Sequence, residues 1–479
     1  MSKFAEFICT KTMLEKKTKI ICTISDIHCE SGFLRSLFEN GMNVVRINSA
    51  HATIEGAQKI VDNVRAVSDR IAILIDTKGP EVRLTEMDAT EGLTVKNGDT
   101  LYICADISGK CSGKLLYTNC PTFIEDVPVG ARILIDDGSV ELLVRNKDRG
   151  RLECTVRNAG VIKGRKSVNV PNTHISLPPL TPKDRMFVKW AIEADIDFIA
   201  HSFVRRKEDL IEIQKILDEA GSHIKLIAKI ENQQGVDNLE EILLNCYGVM
   251  IARGDLGVEI AAEKIPLIQK AIVQKCRNYR KPVIIATQML HSMIENPRPT
   301  RAEVSDIANA IFQRADAIML SGETANGKYP VESVSTMRKI ASETEPSMDV
   351  TVDMRMDAAL KPIAATLARN IVEASIQLPV KAIIFDTWTG RTGRYLAEFR
   401  PKVPIYAMCY QKSTMREMAM TYGIFPYYFE IQETKDAMLR NAVRILKEDG
   451  KIADGDLVGF IGGSFNDEIG ATYLEFKYV

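Results

Sequence analysis

The chain has no surplus of either charge sign. Its 62 Lys and Arg against 63 Asp and Glu leave a formal net charge of −1, so there is no basic field to hold nucleic acid or an anionic membrane surface. No apolar run approaches the ~20 residues that a membrane-spanning helix needs. The ten cysteines include no Cys-x-x-Cys pair, and the opening segment MSKFAEFICTKTMLEKK has no continuous apolar stretch of the secretory kind. Low-complexity segments are absent too. Together these absences lead to the expectation of a cytoplasmic chain with reduced thiols, small-molecule partners, no nucleic acid and no membrane. Length is what the chain does have: 479 residues allow roughly three domains with sizeable cores.

Eight short apolar, β-branched runs alternate with helical patterns: Lys19 to Ile24, Asn43 to Ile47, Ile71 to Ile75, Asp197 to Ala200, Ile224 to Ile230, Gly248 to Ala252, Pro282 to Ala286 and Ala315 to Leu320. Repeated strand–helix units imply a parallel sheet, and eight of them close naturally into a (β/α)8 barrel, an α/β fold. Reactive residues of such a barrel sit at the C-terminal ends of its strands. There this chain places Arg46 and Asn48; Asp76, Thr77 and Lys78; Ser202 and Arg205; Lys229 and Glu231; Asp255; Thr287 and Gln288; and Ser321 and Glu323. Polar groups from seven strands are expected to converge at one mouth.

Within this set, Leu226 to Glu231 and Ile251 to Asp255 are the most informative. Side chains alternate along a strand, so Lys229 and Glu231 project to the same side. A buried ammonium or carboxylate costs several kcal/mol unless it is paired or binds a metal. Glu231 and Asp255, arriving from separate strands, can hold a divalent ion between them. A purely structural ion pair is the plain alternative for Lys229 and Glu231.

From Gly79 to about Pro179 the pattern changes to period-two segments, Ala131 to Ile135, Val140 to Val144 and Leu152 to Val156, punctuated by Gly and Asp turns. This is an all-β insert leaving after the third strand. It starts on the catalytic face, and Asp76 through Arg83 carries a glycine and a proline at the exit, so a lid is expected rather than a decorative domain. The division that follows is barrel at 1–78, β lid at 79–179, barrel again at 180–345, and a C-terminal α/β domain at 346–479. In that last domain Pro362 to Leu378 is expected as a helix with Ile363, Leu367 and Ile371 as its buried stripe. Strands are expected at Ala382 to Phe385, Val403 to Met408 and Leu457 to Ile461. The loop Thr387-Trp388-Thr389-Gly390-Arg391-Thr392 has the hydroxyls, glycine and helix-start N–H groups of an anion site; a plain helix cap has the same composition.

These residues carry a resemblance. Lys19 to Ile24, Gly41 to Asn48, Asp76 to Arg83, Ser202 to Arg205, Lys229 to Asn232, Ala252 to Gly257, Ala286 to Leu290, Pro297 to Glu303 and Ser321 to Ala325 together resemble the pyruvate kinase family, from about Lys17 to the C-terminus. The resemblance implies transfer of the phosphoryl group of phosphoenolpyruvate to ADP, giving pyruvate and ATP. It implies that Glu231 and Asp255 hold Mg²⁺ or Mn²⁺, that Lys229 and Arg46 stabilise the moving phosphoryl, and that the N–H groups of Gly254 and Asp255 receive the substrate carboxylate. Thr287 is implied as a further substrate contact. Enolate protonation falls to Thr287 through water or to Lys229 directly, and the choice stays open. Arg83 and Lys166 are implied as lid groups on the nucleotide phosphates, with His51 at the same end; a solvated surface lysine is the alternative for Lys166. A homotetramer is implied by the same analogy.

Three departures stand out. The family's K⁺ site survives as Asn48, Asp76 and Thr77, but its serine is here Ala50, which has no side-chain oxygen. Glu81 stands where K⁺-requiring members carry Glu, so K⁺ activation with weakened affinity is expected. At the nucleotide end Ser25-Asp26 replaces Gly-Pro and Asn326 replaces a lysine, which leaves base preference open. The loop of Thr387, Thr389, Gly390, Arg391 and Thr392 matches the family's effector site. Its glycine-rich partner here reads Gly462 to Glu468, with Asp467 and Glu468 repelling a second phosphate, so a singly phosphorylated effector or none is expected. Two other classes are the alternatives: a metal-dependent lyase or aldolase, against which Arg83 and Glu81 speak, and a non-catalytic sensor, which has no need of Arg46, Lys229, Glu231, Asp255 and Thr287 together.

Overall fold

The computed structural model describes residues 16–148, 150–350, 361–463 and 470–479. Eight parallel strands, β1 (Lys19–Thr23), β2 (Val44–Asn48), β3 (Ala72–Asp76), β4 (Phe198–His201), β5 (Lys225–Ile230), β6 (Gly248–Ala252), β7 (Val283–Ala286) and β8 (Ala317–Leu320), close into a barrel. Their near-continuous apolar composition follows from burial on both faces. Ile21, Val44, Leu74, Phe198, Ile227, Met250, Ile284 and Met319 fill the inside, while Ile20, Val45, Ile73 and Ile199 pack outward against the helices. The expected (β/α)8 architecture is therefore present.

After β3 the chain forms a separate β unit. Its six-stranded sheet runs Val168–Asn169, Arg132–Ile135, Val140–Asp148, Arg151–Val156, Thr100–Ala105, Leu115–Thr118, and a two-stranded sheet pairs Leu93–Val95 with Gly160–Ile162. Phe123, Val140, Leu142 and Leu152 lie in its own core.

The C-terminal unit is a five-stranded sheet in the order Ile424–Tyr428, Ile405–Cys409, Val380–Thr387, Leu457–Gly463, Ala471–Tyr478, the last strand antiparallel. Sequence reasoning finds the three central strands and misses both edges, where Pro426 and the half-polar Ala471–Tyr478 weaken the strand signal. The helix at Pro362–Gln377 forms as expected, but its buried stripe needs correction. Ala364, Ala365, Ala368, Ile371 and Val372 face the sheet, and Ile363 is 58% exposed. Each step of four residues overshoots one turn by about 40°, so 363, 367 and 371 drift off one face, and small alanines let the helix sit close. Gly462 and Gly463 end a central strand; Ser464 to Glu468, including the acidic pair, lie outside the described residues.

This unit closes the bottom of the barrel. Ala419 and Met420 share a core with the inward residues of the strands. Arg416 Nε meets Asp197 at 2.5 Å and Arg400 meets Asp316 at 3.0 Å, each at the N-terminal end of a barrel strand. The opposite end, at the C-termini of the strands, is left to the chemistry.

Candidate active site

Asp76, the last residue of β3, is the hub. Arg46 from β2 reaches its Oδ2 with Nε at 2.7 Å and with Nη2 at 2.6 Å. Lys229 from β5 reaches Oδ1 at 3.0 Å. Lys229 also contacts Glu231 Oε1 at 2.9 Å and donates to Ser202 Oγ at 2.7 Å, so the same-side projection of residues 229 and 231 is realised as an ion pair. Asp76, Lys229 and Glu231 are all buried.

Burial favours the neutral form of Asp76, but Arg46 and Lys229 outweigh it and hold the carboxyl below its ordinary range. Burial opposes the charge on Lys229 as well; Asp76 and Glu231 reverse that and hold the ammonium above its usual value. Glu231 goes the other way. Burial, with the Asp255 and Asp76 carboxylates nearby, pushes it up to about 7 against the pull of Lys229. Two cations thus face three carboxylates, Asp76, Glu231 and Asp255, a formal excess of one negative charge that contributes to the rise at Glu231. That surplus fits a divalent cation. Among the described residues no three His, Cys, Asp or Glu side chains form a metal cage, so such an ion would take two carboxylates from the protein and its remaining oxygens from elsewhere, the manner in which Mg²⁺ is commonly bound.

Backbone geometry on the rim is strained at Thr287, Gln288 and Phe203. Thr287 sits at φ +72° and Gln288 at +53°, a left-handed conformation that a β-branched residue adopts only when its surroundings over-determine it. It turns the Thr287 hydroxyl to accept the Gly254 N–H at 2.8 Å and to donate to the Ala286 carbonyl at 2.6 Å. Gly254 and Asp255 lie at the start of the short helix Arg253–Glu259. Phe203, at φ +56°, donates its N–H to Glu231 Oε2 at 2.6 Å. Sequence reasoning has no signal for that bond, since a left-handed phenylalanine cannot be read from residue type.

Other expected residues fall into three groups. Asn48 pairs in register with Asp76, and its Oδ1 accepts the Ala50 N–H at 3.0 Å. Thr77 Oγ1 accepts the Ser202 N–H at 3.0 Å and lies 3.2 Å from Nδ1 of His201. The oxygens expected at the K⁺ site are of the right kind, but all of these are already engaged. Arg83 and Lys166 stand together on the β unit, where Arg83 forms an isolated antiparallel bridge with Ser167; Arg83 binds Glu81 at 2.7 Å and Lys166 binds Asp136 at 2.9 Å. His51 is exposed, and Ser25 Oγ donates to the Ala325 carbonyl, next to Asn326, at 3.2 Å. In the C-terminal unit Thr387 Oγ1 accepts the N–H groups of Thr389 and Gly390 at 3.2 and 2.8 Å, and Arg391 opens the helix Arg391–Glu398 after Gly390 at φ +68°. Thr392 is buried, and the rings of Trp388 and Tyr410 lie 4.9 Å apart.

Convergence from seven strands is not complete. Arg205 turns to Asp209 and to the carbonyls of Ile175 and Leu177, and Glu323 accepts the N–H groups of Leu290 and Ser321. Both satisfy buried backbone instead of facing the mouth, because loop N–H and C=O groups there have no ladder partner.

A closed parallel barrel with paired cations and carboxylates at its mouth suits a metal-dependent phosphoryl-transfer enzyme. The sequence model described as "Pyruvate kinase, barrel domain" matches residues 15–334 and "Pyruvate kinase, alpha/beta domain" matches 365–473. The pyruvate kinase of Borreliella burgdorferi is 43% identical over 473 residues, covering 98% of both chains. That of Geobacillus stearothermophilus is 43% identical over 96% of this chain and 80% of its own. The crystal structure of a pyruvate kinase from Cryptosporidium parvum superposes with a TM-score of 0.92 at 33% identity, over 97% of this chain and 96% of that one. The chain belongs to the pyruvate kinase family, metal-dependent phosphotransferases that move the phosphoryl group of phosphoenolpyruvate to ADP in the last step of glycolysis.

Proposed function

We propose the following division of labour for that reaction in this chain. The observation that carries it is the buried Arg46–Asp76–Lys229–Glu231 chain of contacts at 2.6 to 3.0 Å, one negative charge in excess with Asp255 beside it. Phosphoryl transfer needs alignment and charge neutralisation more than covalent help. Arg46 offers a planar fork to phosphate oxygens, and Lys229 a compact charge for the migrating group. Asp76 holds both cations in place. Glu231 and Asp255 are the residues that would hold Mg²⁺ or Mn²⁺, which when bound supplies further positive charge to the substrate oxygens. The Gly254 and Asp255 N–H groups take the substrate carboxylate, which replaces the Thr287 hydroxyl as the acceptor for Gly254.

The enolate left behind needs a proton on carbon. Lys229 is held charged by two carboxylates and gives up its proton poorly, so the reading favours the Thr287 side, with water as the immediate donor. Residues 79–179 act as the lid, and Arg83 and Lys166 leave their lid carboxylates to grip the nucleotide phosphates, with His51 nearby. Asn48, Asp76 and Thr77 form the K⁺ site; because their oxygens are engaged and Ala50 adds none, K⁺ activates with weakened affinity. Thr387, Thr389, Gly390, Arg391 and Thr392 bind a singly phosphorylated effector, if any is bound. The enzyme works as a cytoplasmic homotetramer. Among the described residues no helix is long and apolar enough to cross a membrane.

The test is pyruvate formation from phosphoenolpyruvate and ADP with Mg²⁺, with and without K⁺. Turnover that rises with K⁺ supports the whole assignment, and turnover indifferent to K⁺ removes the cation site alone. Folded protein that binds metal without turnover returns the sensor reading. Activation by fructose 1,6-bisphosphate refutes the singly phosphorylated effector.

A further inference from the structure

Asp184 lies in the first turn of the helix Pro182–Glu193 and is fully buried. One carboxylate oxygen, Oδ2, does what a capping box asks of it: it accepts the Thr181 N–H at 3.0 Å and the Thr181 hydroxyl at 2.6 Å, while the Asp184 N–H donates to Thr181 Oγ1 at 3.1 Å. Nothing in a helix cap calls for the other oxygen. Oδ1 reaches across to accept the N–H of Lys78 at 2.9 Å and that of Gly79 at 3.4 Å. Lys78 and Gly79 are where the chain leaves the barrel for the β unit, and Thr181 is where it has come back. A single buried carboxylate therefore ties both connectors together.

The surroundings fix the same point. Gly79 has φ +70°, and a Cβ there would lie 2.7 Å from the Ser202 Cβ, so the outgoing connector is pressed against the residue that accepts the Lys229 ammonium bond. Ser202 Oγ also donates to the Thr77 carbonyl at 2.6 Å. Next to Asp184, Lys183 donates to the Ala50 carbonyl at 3.2 Å and so braces the loop after β2. Beyond Gly79 the chain runs along a cleft. A cleft of about 350 Å³ lies between the connectors and the barrel, lined by Glu81, Val82, Asn172, His174, Asn232 and Gln234, and it is bridged on the returning side by Arg205, which donates to the carbonyls of Ile175 and Leu177. The outgoing chain meets this cleft from Pro80 onward, directly after the tied residues.

We infer that Asp184 is a positioning residue for the reaction: the pivot that keeps both lid connectors fixed to the catalytic cluster while the lid rotates into the cleft. This rests on the reading of residues 79–179 as a lid that delivers Arg83 to the nucleotide. Asp184 is fully buried with both oxygens taken by Thr181, Lys78 and Gly79, so its effect reaches the chemistry only through where the lid arrives. Misplacement of a closing element by about 1 Å is enough for a loss on the order of a hundredfold.

Steady-state kinetics of pyruvate formation on Asp184→Asn, Thr181→Ala and Arg83→Ala test this, with both substrates titrated separately. Asp184→Asn keeps the shape but turns an N–H pair toward one set of donors; KM for ADP should rise about tenfold, with KM for phosphoenolpyruvate within about twofold of the parent. Thr181→Ala removes the cap alone and should lower the melting temperature while leaving both KM values in place. If Asp184→Asn behaves as Thr181→Ala does, Asp184 is a helix cap and the pivot is wrong. If Arg83→Ala leaves KM for ADP unchanged, the lid reading itself fails; if Arg83→Ala raises it and Asp184→Asn does not, only the pivot fails. Hydrogen exchange on the unmodified enzyme gives an answer independent of how the variants fold. The Lys78 and Gly79 amides should stay protected when ADP and phosphoenolpyruvate are added while lid amides change, and exchange at 78–79 that follows the lid overturns the proposal.

Discussion

Lys229→Met separates a catalytic ammonium from a structural ion pair. The side chain is 10% exposed and contacts Asp76 at 3.0 Å, Glu231 at 2.9 Å and Ser202 at 2.7 Å. Methionine keeps much of the volume and removes the charge. Asp76 retains Arg46 on its other oxygen, whereas Glu231 keeps only the Phe203 N–H among these contacts. Leaving one buried carboxylate without its cation costs roughly 3–5 kcal/mol where no compensation occurs, and the rise already present at Glu231 lets it neutralise and recover part of that. A fall of a few degrees in the barrel's melting temperature is therefore expected. Catalysis should suffer more. Removing one of two cations aimed at the transferring group costs on the order of 3–4 kcal/mol of transition-state stabilisation, or about 10²- to 10³-fold in kcat. The assay is coupled pyruvate release at saturating phosphoenolpyruvate, ADP and Mg²⁺, alongside a thermal melt. A lowered melting temperature with kcat within about threefold of the parent would refute the catalytic role and leave a structural pair.

Thr287→Ala removes the acceptor of the Gly254 N–H and the hydroxyl on the protonation side, so kcat should drop roughly 10- to 100-fold with little change in KM for ADP; an unchanged rate of enolate protonation, read by solvent isotope exchange into pyruvate, would remove Thr287 from that step. Ala50→Ser restores an oxygen beside Asn48 and should lower the K⁺ concentration for half-activation several-fold, with equal titration curves counting against the site. Glu398, at the end of the helix that follows the effector loop, is buried, and burial lifts its carboxyl to about 7 from 4.5 although Arg400 and the Arg277 contact at 3.0 Å pull it down. Between those two values the folded chain keeps a proton that the unfolded chain has released, so stability from this group falls as pH rises from 4.5 to 7. Glu398→Gln has no proton to release and should gain on the parent across that window, by about 3 kcal/mol at most, seen as a melting-temperature difference that grows between pH 5 and pH 7 and then levels off. A difference independent of pH would show that Glu398 is ionised throughout.

Much of the architecture is legible one strand at a time. The eight barrel strands can be found because a strand buried on both faces is a short unbroken apolar run, and that signal is local. The polar residue after each run is legible for the same reason, as is the same-side placement of Lys229 and Glu231, which follows from the two-residue repeat of extended backbone. The β insert and the helix at Pro362–Gln377 also announce themselves locally. Edge strands do not, because solvent on one side relaxes the demand for apolar residues.

Partner choice was decided only by closure of the barrel. Nothing local says that Asp76 serves both Arg46 and Lys229, that a left-handed Phe203 hands its N–H to Glu231, or that Arg205 and Glu323 turn to backbone while Lys229 does not. Asp184 shows the limit most clearly. Thr181 and Asp184 form a helix cap, which is a local matter, but the second carboxylate oxygen meets Lys78 and Gly79 from more than a hundred residues away. Sequence by itself determined the elements and the stock of chemical groups at their ends, since both depend on backbone periodicity and burial. Which group meets which, and hence which charges are shared, which are in excess and where the hinge is held, depends on distances between segments remote in the chain, and only the tertiary structure sets those.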